Sequence, residues 1–246
     1  MSFHERKQTL IQLLKESQEL STSEIAKILY VSEPTVRRDL KKLEETGEII
    51  RVHGGAKNQP LSADLNTPYF IREDMQNVEK ALIGQMAASL VEDGDVIFLD
   101  ASSTTFNMLP YLKDKKNIIA ITNGAKTALL LGQMGIKNIC TGGRMLKDSF
   151  AYVGYDAMQT LKRYNADKAF VSCHGLSLEG LATDKSVEEN DLRLEMMSHA
   201  KHSYLLCDSS KFGKTYLHTL CNASAFTDVL SDSTLPTPVS NLLHQK

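Results

Sequence analysis

Hydrophobic residues recur at helical spacing within residues 31–44, and this pattern predicts a helix with one buried face. Val36, Leu40 and Leu43 stand at positions i, i+4 and i+7, which places them on one side of a helix. Ser32 is a suitable N-cap, and Pro34 is tolerated because the amide hydrogen that proline lacks has no helical partner in the first turn. The polar side chains on or beside the opposite face are Thr35, Arg37, Arg38, Lys41 and Lys42.

Two helical patterns precede this stretch and a strand-like pattern follows it. Residues 5–18 carry leucines at helical spacing, and residues 21–24 have the form of a capping box that opens a short helix. Gly47 offers a helix stop, and residues 48–56 alternate enough to predict a small β-wing. Three helices and a wing predict a winged helix-turn-helix, which presents its recognition helix to the DNA major groove. The inward positions expected for the short helix are Ile25, Ile28 and Leu29.

The rest of the chain has a different pattern and predicts a second domain. Residues 1–57 form the first domain, and residues 58–76 are polar, contain two prolines and lack periodicity, which indicates a linker. Residues 77–246 alternate helical patterns with short apolar runs, which are typical of buried parallel strands. We therefore predict an α/β fold with a doubly wound, mostly parallel sheet. The predicted strands span residues 96–100, 118–122, 138–141, 169–173 and 204–208.

Polar loops follow the predicted strands, at the edge where parallel sheets bind ligands. Hydroxyl groups and backbone amides at a helix N-terminus favour a phosphate group, and Lys211 and Arg144 offer positive charge. Each loop taken alone is better explained as a turn or a helix cap. Together, at one edge of one sheet, they favour an anion-binding site. The loops are residues 101–105, 123–124, 142–144 and 209–213.

Composition and charge add limits to this picture. The chain has 246 residues, a net charge of −2 and 42% hydrophobic residues, which fits two globular domains. It has neither an apolar run long enough to span a membrane nor a signal-peptide core, so we expect a cytoplasmic protein without membrane contact. The cysteines lack C-x-x-C spacing, so we expect buried reduced thiols and neither a metal nor a cofactor. Residues 234–246 suggest a loosely packed tail.

The charge of the first domain is nearly balanced but unevenly placed. Residues 1–57 contain ten Lys and Arg residues against nine Asp and Glu residues. A nearly neutral domain favours modest non-specific affinity for DNA, and hence binding as a dimer or a higher oligomer. A basic stripe is still sufficient for phosphate contacts. That stripe consists of Arg37, Arg38, Lys41, Lys42, Arg51 and Lys57.

These patterns resemble the DeoR family of bacterial repressors. The resemblance rests on R-R-D-L-K-K-L-E-E-T-G at residues 37–47 and R-V-H-G-G-A at residues 51–56, and it extends to about residue 232. It implies that the chain binds double-stranded operator DNA as a homodimer or homotetramer and regulates transcription. A helical bundle that contacts proteins is the alternative for the first domain. The expected DNA-binding residues are Ser32, Thr35, Arg37, Arg38, Lys41, Lys42, Arg51 and His53.

The same resemblance implies a second domain similar in fold to ribose-phosphate isomerases, which senses a phosphorylated sugar. Ser102, where many relatives have glycine, is a departure from the family, because serine does not adopt a positive φ cheaply. The geometry of its loop therefore need not follow the family. The expected effector-binding residues are Asp100, Ser102, Ser103, Thr104, Thr105, Asn123, Gly142, Gly143, Arg193 and Lys211.

An isomerase and a purely structural oligomerisation domain are the rival interpretations of the second domain. An isomerase needs a carboxylate base and a proton donor near the sugar, but residues 171–177 contain no carboxylate. His174 has no orienting acid beside it in sequence, although Glu179, Asp184 and Glu188 follow in the next segments. A structural domain leaves the polar strand ends unexplained. The favoured interpretation is a non-enzymatic repressor of a sugar-metabolism operon, released from its operator by a phosphorylated sugar.

Overall fold

The first unit of the molecule is a helical domain with a small sheet. A computed structural model describes residues 3–17, 19–45, 49–52, 54–58 and 69–243, and its contacts divide the chain into residues 1–72 and 73–246. The predicted Gly47 stop and His53 lie outside the described residues. The elements of the first unit are α1 (Phe3–Ser17), β1 (Glu19–Ser21), α2 (Thr22–Leu29), α3 (Glu33–Glu45), β2 (Ile49–Val52) and β3 (Gly55–Asn58).

The core of this unit follows the predicted helical stripes. Residues from all three helices and the sheet are no more than 4% exposed, and these are Leu10, Leu14, Ile25, Leu29, Val36, Leu40, Leu43, Ile49 and Ala56. The inward prediction for Ile28 was wrong, because α2 faces the core through the pair Ile25 and Leu29 and leaves Ile28 42% exposed. Strand β1 was not predicted. It is three residues long, too short for a pattern, and it pairs antiparallel with β3.

Local hydrogen bonds fix the helix-turn-helix. Ser21 and Glu24 form the predicted capping box at the start of α2, with the Glu24 amide donating to Ser21 Oγ and the Ser21 amide donating to Glu24 Oε2. Tyr30 ends α2 in the left-handed conformation, with φ at 52°. Ser32 then accepts a hydrogen bond from the Thr35 amide at 3.4 Å, which caps α3 as expected.

The second unit is built around parallel strands. Helix α4 (Tyr69–Asp74) lies inside the segment predicted as a linker and spans the boundary between residues 72 and 73 that divides the two units. The helices that follow are α5 (Asn77–Ser89), α6 (Ser103–Phe106), α7 (Ala125–Gln133), α8 (Tyr155–Leu161), α9 (Val187–Ser198) and α10 (Thr237–Leu243). The strands are β4 (Val96–Leu99), β5 (Ile119–Thr122), β6 (Lys137–Cys140), β7 (Arg144–Met145), β8 (Tyr152–Val153), β9 (Ala166–Ser172), β10 (Gly175–Leu176), β11 (Leu181–Asp184), β12 (Ala200–Leu206), β13 (His218–Asn222) and β14 (Asp228–Leu230).

The main sheet contains the five predicted strands and one more, β14. Its order is β14-β12-β9-β4-β5-β6, and every neighbouring pair is parallel. The chain starts in the middle at β4, moves outward to β6, and returns to β9 on the other side of β4. The strand order therefore reverses between β4 and β9, and ligands in such sheets bind in the crevice at the carboxyl ends of the strands at this switch point.

Apolar side chains on alternate positions of the strands supply two cores. Ile97 and Leu99 of β4 pack in one cluster with Ile83 of α5, while Phe98 joins the other cluster with Leu192 of α9. Both faces are thus covered by helices, which explains the continuous apolar runs and confirms the doubly wound arrangement.

Two expectations about the periphery of this unit were wrong. Residues 234–246 do not form a loose tail throughout, because α10 folds there and buries Val239 completely. The thiols are not all buried either, since Cys140 at the end of the edge strand β6 is exposed and Cys221 is partly exposed. An edge strand has a neighbour on one side only, which leaves its end open to solvent.

Candidate functional site

The first candidate surface is the exposed face of α3. Val36, Leu40 and Leu43 are at most 1% exposed, so the helix turns its cations outward. Arg38 makes no hydrogen bond or ion pair within the described part of the chain. Within the same described residues, the one ion pair of Arg37 is a 3.5 Å contact with Glu33 one turn earlier. A packed helix that exposes arginines which are at most weakly paired among the described residues is suited to entering a major groove.

The other predicted residues of this surface are partly engaged within the protein. Ser32 Oγ and Thr35 Oγ1 lie 2.9 Å apart at the start of α3. Lys41 and Lys42 are exposed, and Lys42 Nζ lies 4.7 Å from the centre of the Phe3 ring. On the wing, Arg51 Nη1 lies 3.2 Å from Glu44 Oε2 in a pair that is open to solvent.

One ion pair beneath this surface was missed by sequence reasoning. Arg6 of α1 donates to both carboxylate oxygens of Asp39, at 2.7 and 3.1 Å, and Asp39 is 4% exposed. The sequence contains a signal for it, because Asp39 stands between Val36 and Leu40 on the apolar stripe of α3. A charged residue in register with buried positions requires a partner. The bidentate pair therefore holds α3 against α1.

The second candidate site lies at the switch point of the sheet, where Asp100 follows β4. Its Oδ1 accepts hydrogen bonds from the Ser102 amide (3.0 Å) and Thr105 Oγ1 (2.7 Å). Its Oδ2 accepts from Arg193 Nε (2.8 Å) and the Ser172 amide (3.1 Å). Burial alone would raise the pKa of Asp100, but the charge of Arg193 and these hydrogen bonds lower it. The carboxylate thus ties the loop after β4 to β9 and α9.

The four hydroxyl residues after Asp100 divide into two groups. Ser102 has φ at −74° and accepts from the Thr105 amide at 3.2 Å, so this serine caps α6 without needing a positive φ. Thr105 directs its hydroxyl to Asp100 and is fully buried. Ser103 and Thr104 form the first turn of α6, and Thr104 Oγ1 contacts Lys211 and Ser172. As phosphate contacts, all four stay predictions.

Lys211 is the cation that meets this loop. It lies in the turn Ser209–Lys211 after β12, and its side chain is 16% exposed. Lys211 Nζ donates to Ser172 Oγ at 2.9 Å and to Thr104 Oγ1 at 3.2 Å, and it lies 3.4 Å from Asp208 Oδ2. Burial alone would lower the pKa of Lys211, but the charge of Asp208 raises it. Groups at or just beyond the carboxyl ends of β4, β9 and β12 therefore meet at one ammonium.

Arg193 lies deeper and is surrounded by acceptors. Its guanidinium donates to Asp100, to Asp184 at 2.8 Å, to Asn190 at 3.1 Å and to Glu189 at 3.2 Å, and its side chain is 3% exposed. Burial opposes the charged form, yet the three carboxylates raise the pKa of Arg193 further. Its charge is more than neutralised within the protein. A contact between Arg193 and a ligand stays a prediction. The observed partners of Arg193 show that it links the loop after β4, the end of β11 and α9.

His174 has the orienting acid that sequence adjacency did not supply. Its Nδ1 lies 2.9 Å from Asp184 Oδ2, and its ring meets the Tyr216 ring edge-on with centroids 5.9 Å apart. Burial would raise the pKa of Asp184, but Arg193 and His174 lower it strongly. Asp184 ends β11, ten residues after His174, so only the fold brings the pair together.

The remaining predicted residues follow β5 and β6. Asn123 donates from Nδ2 to the Tyr152 carbonyl at 3.1 Å, while its Oδ1 is buried and has no hydrogen-bond partner among the described residues. Gly142 and Gly143 have positive φ angles of 66° and 103°, and a Cβ on Gly143 would lie 2.8 Å from the Val153 carbonyl oxygen. The positive φ angles, and the lack of room for a side chain at Gly143, explain why glycine occupies these positions without any role in ligand binding. Asn123 offers an acceptor that a ligand hydroxyl would satisfy.

Sequence reasoning also missed Lys80. This residue is 4% exposed, and its Nζ donates to the Met75 carbonyl at 2.7 Å. Burial would raise the pKa of Asp208, but Lys211 and, more weakly, Lys80 lower it. Lys80 stands three residues before Ile83 on the buried stripe of α5. A charged residue on an apolar stripe is the same signal that Asp39 gives in α3.

Neither a metal-binding cluster nor a membrane-spanning helix is found in the described ranges. No cluster of three or more His, Cys, Asp or Glu side chains is arranged to hold a metal ion there. No helix in those ranges is both long and apolar enough to cross a membrane.

Comparisons with known proteins match both units. The DeoR-like helix-turn-helix domain matches residues 6–59, and the DeoR C-terminal sensor domain matches residues 75–233. The repressor GlcR of Bacillus subtilis is 33% identical over 94% of this chain and 89% of its own. The L-fucose operon activator of Escherichia coli is 32% identical over 92% of this chain and 94% of its own. Ribose 5-phosphate isomerase A from Methanocaldococcus jannaschii has a TM-score of 0.42 and 19% identity, and the match covers 54% of this chain and 53% of that one.

Proposed function

Because the chain belongs to the DeoR family of DNA-binding transcriptional regulators, we propose that it represses a sugar-metabolism operon and leaves its operator when a phosphorylated sugar binds the second unit. The observation that carries the ligand proposal is the meeting of Lys211 with Thr104 and Ser172 at the switch point of the sheet. A partly exposed ammonium beside hydroxyl groups suits a dianionic phosphate, which forms charge-assisted hydrogen bonds.

The sugar itself would extend from the phosphate along the carboxyl ends of the strands. Asn123 supports this direction, because it follows β5, the neighbour of β4, and its buried Oδ1 accepts no hydrogen bond from the described residues. A buried acceptor left unsatisfied costs about 1–3 kcal/mol, and a sugar hydroxyl would remove that cost. Asp100 and Arg193 are proposed to hold the loops in place.

Release from DNA requires that the ligand distinguish two arrangements of the protein. The proposed mechanism is a population shift, in which the phosphorylated sugar binds better to an arrangement whose recognition helices no longer match the half-site spacing of the operator. A homodimer or homotetramer is needed for such spacing to matter. The ligand acts only through its differential affinity for the two arrangements.

Replacement of Lys211 by methionine tests the ligand proposal. The variant removes the charge and keeps the apolar stem, so affinity for the active sugar phosphate should fall by about 10- to 100-fold, the value of a hydrogen bond to a charged group. Calorimetric titration against a panel of phosphorylated sugars measures this fall, and gel shifts with operator DNA measure the loss of release.

Lys214→Met is the matched control, because Lys214 is exposed and lies three residues later. It should bind ligand as the wild type does. Thermal melts of both variants separate lost ligand contacts from lost stability. If an unphosphorylated sugar binds the wild type as tightly as its phosphate ester, the proposal of a phosphate site is wrong.

A sugar-phosphate isomerase is a second candidate, and the His174–Asp184 pair is the observation that favours it. Isomerisation needs a base and a proton donor on the same substrate. His174 supplies one such group, but Asp100, Asp184 and Glu189 are all held by Arg193. The test is to incubate the protein with the sugar phosphate that binds and to measure aldose–ketose interconversion. Interconversion by the wild type that is lost in His174→Gln would indicate an enzyme, whereas binding without interconversion would indicate a sensor.

A further inference from the structure

Two buried cysteines lie side by side behind Lys211. Cys173 directly follows β9 and Cys207 directly follows β12, and these strands pair in parallel with Ser172 opposite Leu206. The cysteines therefore occupy the next pair of positions along the two chains. Their Sγ atoms are 4.0 Å apart, and the residues are 4% and 0% exposed. The ligand proposal uses neither thiol.

The surroundings make the two thiols unequal. The hydrogen bond between the two thiols and the charge of Lys211 lower the pKa of Cys173 against the effects of burial and of Asp184. The same hydrogen bond, together with burial, raises the pKa of Cys207. Cys173 is thus the better nucleophile, because the thiolate is the reactive form. Cys207 lies within reach as its resolving partner.

The pair is also linked by sequence to the groups that hold Lys211. Ser172, which accepts from Lys211 Nζ, precedes Cys173, and Asp208, which pairs with the same ammonium, follows Cys207. The sulfur atoms of a disulfide are about 2.05 Å apart, so a bridge would bring the two Sγ atoms, now 4.0 Å apart, closer by roughly 2 Å. Ser172 and Asp208 are the chain neighbours of the two cysteines, so any backbone adjustment to the bridge would be felt at Lys211.

We propose that Cys173 and Cys207 form a redox-sensitive pair, which a peroxide converts to a disulfide that alters anion binding at Lys211. The Cys173 thiolate attacks one oxygen of hydrogen peroxide, the O–O bond breaks, and the departing hydroxide takes up a proton to become water. The Cys207 sulfur then attacks the sulfur of the resulting sulfenic acid and forms the S–S bond, while the Cys207 thiol proton passes to the departing hydroxide and gives a second water. Two thiols and one peroxide thereby give one disulfide and two waters.

Tryptic mapping of the peroxide-treated full chain tests the bridge directly. Cleavage after Lys and Arg places Cys140, Cys173, Cys207 and Cys221 on separate peptides, which span residues 138–144, 169–185, 202–211 and 215–246. After free thiols are alkylated, the peptides 169–185 and 202–211 should appear linked, and a reductant should separate them. If both peptides are recovered alkylated, or if 169–185 is linked to 215–246, the proposal is overturned.

Single variants assign the two roles. Cys207→Ser should stop at a sulfenic acid on Cys173, which a dimedone label detects, whereas Cys173→Ser should give neither label nor bridge. Cys221→Ser is the matched control and should form the bridge as the wild type does. Loss of the bridge in Cys221→Ser, or labelling of Cys207 in place of Cys173, contradicts the assignment. The wild-type mapping stands whether or not every variant folds.

The effect on anion binding rests on the proposed function, and inorganic phosphate is the probe. Calorimetric titration should show about tenfold weaker phosphate binding to the bridged wild type than to the reduced protein, and no peroxide effect in Cys207→Ser. A bridge that forms without changing phosphate affinity overturns the coupling. A reduced protein that does not bind phosphate contradicts the proposed function, while the peptide map still decides the bridge.

Discussion

The face of α3 and the switch point of the sheet use the same kinds of residue in opposite ways. On α3, Arg37 and Arg38 are exposed, and among the residues that the structure describes only Arg37 has a nearby carboxylate, at 3.5 Å. At the switch point, Arg193 is 3% exposed and touches three carboxylates. An exposed, weakly paired cation is available to a partner, whereas a buried, fully paired one holds the protein together. The presence of an arginine therefore predicts a binding site only when the solvent exposure and the ion pairs of that arginine are known.

The largest expected effect comes from removing the buried cation. Arg193→Met should lower the free energy of unfolding by about 3–5 kcal/mol, because it leaves the buried carboxylates without their partner. Urea denaturation followed by circular dichroism measures the loss. Arg163→Met, at an exposed position in the same unit, is the control and should change stability little. A loss in Arg193→Met no larger than in the control would show that Arg193 does not stabilise the switch point.

The cost of Arg193→Met should also depend on pH. In the wild type the pKa values of Asp100 and Asp184 are lowered, so their contribution to stability is present above the unfolded-state pKa near 3.9 and is lost as the pH falls through the folded values. Without Arg193, burial raises those pKa values instead, and protonation then relieves the unpaired charge. The deficit of the variant relative to wild type should shrink between pH 7 and pH 5, and a constant deficit would contradict this account.

The helix-turn-helix could be predicted in detail because its chemistry is local. Apolar spacing alone orients α3, and the capping residues Ser21 and Ser32 act within three residues. The ion pair that was missed also has a local signal, because Asp39 is a charged residue on the apolar stripe of α3. What the sequence did not reveal was its partner Arg6, 33 residues away.

The switch point could be predicted only in outline. The strands and their polar ends follow from short apolar runs, but the roles of the end residues depend on hydrogen bonds between distant segments. The hydroxyl groups of Ser102 and Thr105 bond to groups within the same short segment. The Thr104 hydroxyl instead meets Lys211, which lies 107 positions away in the sequence. His174 likewise gained its acid from β11. Periodicity carries no information about such pairings, because it reports only which face is buried.

The next prediction concerns the exposed Arg38. Arg38→Ala should weaken operator binding by about 1–3 kcal/mol if the side chain contacts a base edge, and should leave the melting temperature unchanged. Gel shifts with operator and with unrelated DNA at two salt concentrations distinguish this from a phosphate contact, which would weaken both DNAs alike. Arg163→Ala is the charge-matched control. Wild-type affinity in Arg38→Ala would remove this residue from the interface.

A smaller effect compares two serine caps on neighbouring helices. Ser21→Ala and Ser32→Ala each remove a side chain that accepts a helix N-terminal amide, so each should cost about 1 kcal/mol of stability. Only Ser32 lies at the start of the proposed recognition helix. Operator affinity, measured well below the melting temperature, should therefore fall in Ser32→Ala and not in Ser21→Ala. Equal affinities would leave Ser32 with a capping role alone.

The smallest expected effect is on the wing. Arg51 pairs with Glu44 in a solvent-exposed contact, and such pairs contribute little to stability, so Arg51→Ala should melt like the wild type. If Arg51 contacts a DNA phosphate, the variant should bind all sequences more weakly, and the slope of log affinity against log salt should fall by about 0.9. Arg51→Lys keeps the charge and should keep the slope. An unchanged slope in Arg51→Ala would remove this arginine from the DNA interface, and would mean that exposure alone does not make a cation a contact for a partner.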